Sequence, residues 1–470
     1  MTHLRLAGGT VVRSLDPISL ETADLLVDGD RIAPIATTAP GAADAPEPAT
    51  APGLPPETAA TDGAVTIDCR GCLVVPGNVC AHTHAYSALA RGMPYRLEPP
   101  ATFVETLRRV WWRLDRALDP ASIRASALVA AKEALLSGTT TLIDHHASPS
   151  AVDGSLDVIA EAFATLGVRS VLCYETSDRD GPAITNAGLR ENARFAACVA
   201  AGTFPTARAM VGAHASFTLS DDTLESCAAA ARAAAVGLHI HVAEDAADER
   251  DSVDRTGMRV GERLAAASAL DGRSLLAHGV WLDDGELECI EQAGSTIVHN
   301  ARSNMNNRVG HAPLGRMGGS VALGTDGIGA DMFEESRVAW LGARAAGDVD
   351  DPSWSLARLA ASARVAASAF GEPDLGRLVP GAPADLIVLD YGTPSPLEAG
   401  SFAGHWTFGL SARAVRDVVV AGRVVVRDRR LAGVDEDAML AEARSEAARL
   451  WRRLDEVGEH PFEPKALALR

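Results

Sequence analysis

Residues 73–84 read LVVPGNVCAHTH, an apolar run ending on two histidines two positions apart. Seven comparable runs follow: TTTLIDHH (139–146), SVLCYETSD (170–178), ARAMVGAH (207–214), GLHIHVAE (237–244), SLLAHGV (274–280), STIVHN (295–300) and SVALGTDG (320–327). Ala-rich stretches with helical spacing separate them. Eight alternations of apolar strand and helix specify an α/β protein whose centre, 73–372, is a (β/α)8 TIM barrel rather than an open sheet. In such barrels the C-terminal strand ends carry the chemistry, and a large share of the 13 histidines fall there.

Outward from the barrel the pattern changes. Residues 4–13 and 23–36 alternate as short strands around an Asp28-Gly29 turn, and strand character returns in ADLIVLDY (384–391) and AVRDVVVAGRVVVRDRRL (414–431). These segments predict one small β-sandwich domain formed by both chain ends, 1–72 and 373–434. Within it, 37–63 is almost entirely Ala, Pro, Thr, Gly and acidic residues, a composition expected to form a flexible surface loop. A charged helix over 435–456 and a tail to 470 complete the chain.

Composition narrows the function. The 470 residues are 47% hydrophobic and 22% charged, the balance of a folded globular protein. A net charge of −19 opposes attraction to phosphate backbones or anionic lipid. No apolar run is long enough to span a bilayer and the start lacks a secretory pattern, so neither nucleic acid nor membrane is an expected partner and a cytoplasmic location is expected. Seven cysteines, an odd number, argue against a disulfide framework, and Cys69-Cys72 lacks the second pair a zinc site needs.

His82 and His84 stand at i and i+2 on the first strand, so both imidazoles point to one face, the start of a metal site. His241 ends the fifth strand, His278 the sixth and Asp326 the eighth, giving a set of N and O ligands suited to zinc or iron(II). His239 lies deeper and reads as a buried structural histidine.

H-T-H, H-V-A-E, A-H-G-V and G-T-D-G on strands one, five, six and eight resemble the amidohydrolase superfamily, in its mononuclear deaminase and chlorohydrolase branch. AHTHAYSALARGMP, FVETLRRVWWRLDRALD, SGTTTLIDHHASP, NARSNMNNRVGHAP and GHWTFGL are more similar still to the SsnA-type aminohydrolases, over nearly the whole chain except 37–63. The resemblance implies one divalent metal, zinc before iron(II), held by His82, His84, His241 and Asp326. It also implies Glu244 as the proton shuttle and His278 as a hydrogen-bonding partner that orients the nucleophile, with Asp326 sharing that task. Binuclear members bridge two metals with a carboxylated lysine on strand four; here that strand ends Gly212-Ala213-His214, and the only lysines are Lys132 and Lys465. A lysine-bridged pair of metals is therefore excluded.

Four further residues near the mouth are candidates for substrate binding. His145 and His146 point to opposite faces, so only one readily enters the pocket, and a similar pair in relatives acting on oxidised purines and hydroxylated triazines favours His146. His214 replaces the small residue or proline of many relatives. Arg91 suits a carbonyl or anionic substituent, or else a loop salt bridge. Asn304, with Asn300 and Ser303, follows strand seven, where relatives carry a cysteine-proline pair. Trp111 and Trp112 are expected in the core or on a dimer face.

The reading is a metal-dependent aminohydrolase that uses activated water to remove an amine from a purine, pterin, pyrimidine or triazine ring, in a homodimer or larger homo-oligomer. Its rivals are a cyclic-amide or chloro-heterocycle hydrolase on the same site, and a catalytically silent scaffold barrel. Residue types alone separate neither the substrate nor the leaving group.

Overall fold

The computed structural model describes residues 3–34 and 65–464, so the loop expected at 37–63 lies outside the described residues. Eight parallel strands form the centre: β1 (Asn78–Thr83), β2 (Thr139–His146), β3 (Arg169–Thr176), β4 (Val211–Ala215), β5 (Leu238–Val242), β6 (Leu275–His278), β7 (Thr296–His299) and β8 (Val321–Leu323). Each pairs with the next, and a parallel bridge between Thr83 and Asp326 closes β8 onto β1. The (β/α)8 barrel expected from the eight runs is present, and its strands are buried on both faces as parallel strands require.

Gly324 allows that closure. A Cβ there would lie 2.8 Å from the backbone nitrogen of His82 and 2.5 Å from the Asn300 side-chain oxygen, so any other residue would push β8 away from β1.

The second layer is one sheet built from both chain ends. Its order is Arg430–Leu431, Arg423–Arg427, Val415–Val420, Leu386–Asp390, Cys72–Pro76, His3–Leu15, Ile18–Asp28 and Arg31–Ile32, with Val65–Asp68 also pairing to His3–Leu15. It closes over its own core of Leu4, Leu6, Leu25, Val27, Ile67, Val74, Leu386 and Val388, as a small β-sandwich does. The run quoted at 73–84 is divided between two layers. Cys72–Pro76 pairs with Leu386–Asp390 in the outer sheet, and the barrel begins at Asn78 rather than at 73. Gly77 marks the crossing, because a Cβ there would collide with the Thr140 side chain.

The last helix, Glu436–Glu456, buries Met439, Leu450 and Leu454 in the main core, and Trp451 Nε1 donates to the Leu89 carbonyl at 2.8 Å. Asp119 fastens it to the barrel. Its carboxylate caps the helix Pro120–Leu136 by accepting from Ser122 N at 3.0 Å, and it also pairs with Arg449 and Arg453. Asp119→Ala removes cap and clamp together and is expected to cost about 2 kcal/mol, read as a lower urea midpoint. Asp119→Asn, which keeps the cap, is expected to cost less.

Candidate active site

The strand ends converge on a cavity of about 650 Å3, including its open mouth, lined by His84, His241, Glu244 and Asp326 together with aromatic side chains. Backbone hydrogen bonds set the ring orientations. His84 Nδ1 bonds the His145 carbonyl at 2.5 Å and His241 Nδ1 the His214 carbonyl at 2.8 Å, which turns each Nε2 inward. The two Nε2 atoms stand 3.2 Å apart, and Asp326 Oδ1 lies 3.0 Å from His84 Nε2 and 3.6 Å from His82 Nε2. His82 Nδ1 is held by His239 Nε2 at 2.9 Å, so the deeper histidine supports its neighbour.

These residues fit a divalent metal on their own chemistry. The Nε2 atoms of His82 and His278 are buried with no hydrogen-bond partner, and ligand atoms of His82, His241, His278 and Asp326 lie within 4.8 Å of one another. Buried polar atoms are ordinarily paired, so this convergence of orphans asks for a cation. Burial drives His82 down to about 3, which keeps its imidazole neutral, and pulls on His84 too, but Asp326 overrides it there and raises His84 to about 9. Burial would raise Asp326 likewise, yet the imidazoles of His82 and His84 beside it hold it well below the usual carboxylate range.

Three strand ends carry non-glycine residues in the left-handed region: Ala243 (φ 47°), His278 (φ 78°) and Asp326 (φ 54°). That conformation costs free energy and clusters at functional sites. At Ala243 its effect is visible, for Glu244, three residues beyond His241, is swung into the cavity instead of facing away. Asp248 pins this turn by accepting from Ala243 N and Phe217 N, both at 3.0 Å. Burial, then Asp326, pushes Glu244 well above the ordinary carboxyl range. One of its oxygens accepts from Asn307 Nδ2 at 3.3 Å, while the other lies 3.5 Å from His278 Nε2.

His278 is positioned by Asn304, whose side-chain oxygen accepts from Nδ1 at 2.8 Å, and Ser303 donates to Asp326. Asn304 is thus a support for His278 and not part of the cavity lining, a correction to the substrate-binding role expected for it. Asn304→Leu removes the acceptor from a fixed imidazole and is expected to lower turnover about ten- to a hundredfold with metal content unchanged. A kinetic assay beside elemental analysis checks both halves.

Two other expectations are corrected. His145 faces the site, its ring 4.8 Å from that of His241, whereas His146 points out of the barrel to Ser148 Oγ at 2.9 Å, between Tyr86 and Tyr174. The alternation along β2 allowed either; burial of the outward ring under the helical layer decides it. Arg91 lies outside the cavity and pairs with Glu133 through both nitrogens, one at 2.7 Å, so the loop salt bridge is the reading that fits. His214 does line the cavity, with Nδ1 2.7 Å from Thr218 Oγ1.

The aromatic wall departs most from expectation. Phe103, Leu107, Trp111, Trp112 and Asp115 all line the cavity from one helical segment, Phe103–Ala117, which widens to a π-turn at Leu107–Trp111. The tryptophans expected in the core or on a dimer face do pack in the core, Trp112 within it and Trp111 against it, and they line the pocket as well. Behind them Arg179 is clamped between Glu175 and Asp115, each at 2.6 Å, with its guanidinium over the Trp112 ring. Burial pushes Asp115 up to about 8 against the pull of Arg179. The spacing 103, 107, 111, 115 was the available signal for this wall.

Residues 73–425 match the Amidohydrolase family. The chain belongs to that family. This amidohydrolase is 31% identical over 463 residues to the 5-methylthioadenosine/S-adenosylhomocysteine deaminase of Halobacterium salinarum, covering 96% of this chain and 99% of the relative. It is 31% identical over 397 residues to the 5'-deoxyadenosine deaminase of Methanoregula boonei, covering 82% and 86%. Among solved structures, its fold resembles an adenosine deaminase from Xanthomonas campestris with bound zinc, with TM-score 0.78, 22% identity and 97% and 99% of the two chains covered. It also resembles an atrazine chlorohydrolase from Arthrobacter aurescens complexed with zinc and atraton, with TM-score 0.76, 24% identity and 94% and 100% covered. The amidohydrolase is accordingly a hydrolase of carbon–nitrogen bonds other than peptide bonds, within the deaminase branch. Among its described residues no helix is long and apolar enough to cross a membrane.

Proposed function

We propose that the protein is an aminohydrolase that removes the exocyclic amine of an adenine-type nucleoside and releases ammonia. The observation that carries this reading is the place of Glu244, a buried carboxyl in the same cavity as His84, His241 and Asp326 and 3.5 Å from His278 Nε2. Ammonia leaves only as a protonated group, whereas chloride needs no proton, so a poised acid beside the nucleophile suits amine expulsion. The purine ring rests on the names of the relatives, which span most of the chain at 31% identity.

The ligands in this reading are His82, His84, His241 and Asp326, and the metal is zinc. When bound, it supplies the Lewis acidity that yields hydroxide from water near neutral pH. Glu244 carries the moving proton: its carboxyl takes one from the attacking water and delivers it to the ring nitrogen, then takes the hydroxyl proton of the resulting tetrahedral carbon and passes it to the amine, so that the C–N bond breaks as the C=O forms. His278 Nε2 steadies the nucleophile or the developing charge, its ring locked by Asn304. Phe103, Leu107, Trp111 and Trp112 exclude water and offer apolar faces to a flat ring. A homodimer or higher homo-oligomer is supported by the large exposed side chains Met305, Leu341 and Phe408.

An ammonia-release screen of the zinc-loaded protein against adenosine, 5'-deoxyadenosine, guanine, pterin, cytosine and chlorotriazines tests the proposal. Ammonia from the adenine nucleosides is the expected result. Chloride release from the triazines, with the nucleosides inert, would replace it with the chlorohydrolase reading.

A further inference from the structure

The charge of the cavity narrows the substrate beyond its ring. Asp115, Glu175, Asp245 and Asp248 line it in addition to Glu244 and Asp326, and among the described residues no lysine or arginine does. The guanidinium behind the wall, Arg179, is held by carboxylates: Glu175 and Asp115 at 2.6 Å, with Asp180 3.5 Å from its Nε. That Nε has no hydrogen-bond partner but is buried, the guanidinium lies over the Trp112 ring, and the residue does not line the cavity. Arg91, the other candidate for an anion, is spent on Glu133 outside the cavity.

Two buried polar atoms of the lining residues lack a protein partner, Asp115 Oδ1 and Trp112 Nε1. Neither atom belongs to a cationic side chain. An anionic substituent entering this space would lose its hydration and meet no cationic side chain in compensation, at a cost in affinity.

We infer that the cavity selects uncharged or cationic ring substrates and rejects those bearing a phosphate or carboxylate, so that the reaction serves free bases and neutral nucleosides and not nucleotides. This rests on the aminohydrolase reading but makes a separate claim. A neighbouring reaction that supplies such a substrate must already have cleaved the phosphate ester or the carboxylate-bearing arm.

The test uses the zinc-loaded full chain and matched ligands that differ in one group: adenosine against adenosine 5'-monophosphate, and adenosine-5'-carboxamide against adenosine-5'-carboxylate. Binding is followed by quenching of the Trp111 and Trp112 fluorescence, and turnover by ammonia release. Neutral members are expected to exceed their phosphate- or carboxylate-bearing partners by about a hundredfold or more in kcat/KM and in affinity. Equal or better use of the anionic members would overturn the inference and leave the aminohydrolase reading standing. Selective binding of the neutral members without ammonia release would support the inference and sink that reading. Failure of every ligand to bind would overturn the inference. Leu107→Arg places a cation in the wall and is expected to narrow the preference at least tenfold; should that variant not fold, the wild-type comparison decides alone.

Discussion

Glu244→Gln is expected to keep its metal, bind substrate with little change and lose roughly 10²–10⁴-fold or more in turnover, the range that accompanies loss of a positioned general acid and base. The amide preserves size and can still accept from Asn307 Nδ2, now at 3.3 Å from the carboxyl oxygen, so the turn at Ala243 and its anchor Asp248 should stand. What the amide lacks is a proton to give and a lone pair basic enough to take one. A fall in kcat at constant KM and constant zinc content is the expected signature. Loss of zinc from this variant would instead make Glu244 a ligand.

His241→Ala is expected to have the larger effect on metal. Its Nε2 stands 3.2 Å from that of His84, and its orientation is fixed through the His214 carbonyl, so truncation to alanine removes one of the inward-turned nitrogens from the cluster. The wild-type protein is expected to retain one zinc per chain after dialysis, because one set of four ligands builds one site and β4 carries no lysine to bridge a second. The His241 variant should retain less than about a tenth of that, with activity below detection. Two tightly held equivalents in the wild type would sink the mononuclear assignment. Asp326→Asn should fall between the two variants, losing occupancy and rate together.

The barrel was legible because parallel strands buried on both faces leave uninterrupted apolar runs, and because the histidines mark their C-terminal ends. The pairing of His82 and His84 was legible for a related reason, since i and i+2 on a strand share a face whatever surrounds them, whereas the full proposed ligand set rested on the family resemblance. Where the chain leaves regular structure, spacing stops informing. Nothing in H-V-A-E says that Ala243 adopts a left-handed conformation, and a periodic reading turns Glu244 away from the site that it enters. Alternation along β2 could not choose between His145 and His146, since both are fully buried and only the tertiary layers define which side is the pocket. The helix Phe103–Ala117 was legible only in part, because an apolar stripe that packs into a core and also lines a cavity has the same composition as one that faces a core alone.

The bridge between Thr83 and Asp326 gives the barrel a seam, and three of the proposed metal ligands lie on its two sides: His82 and His84 on the first stave, Asp326 beyond the end of the last. β8 is only three residues long, so few backbone bonds hold that joint. An ion gripped by both edges acts as a rivet through the seam, and its binding free energy is added to the stability of the closed ring. Chelation should consequently loosen the molecule unevenly. Amide protons of Val321–Leu323 and Asn78–Thr83 should exchange faster in the stripped protein while those of β3 and β4, on the far side of the ring, keep their protection. Loading the ion is thus a late event in assembly, one that must wait until some 240 residues of intervening chain have folded and brought the two ends of the barrel into register.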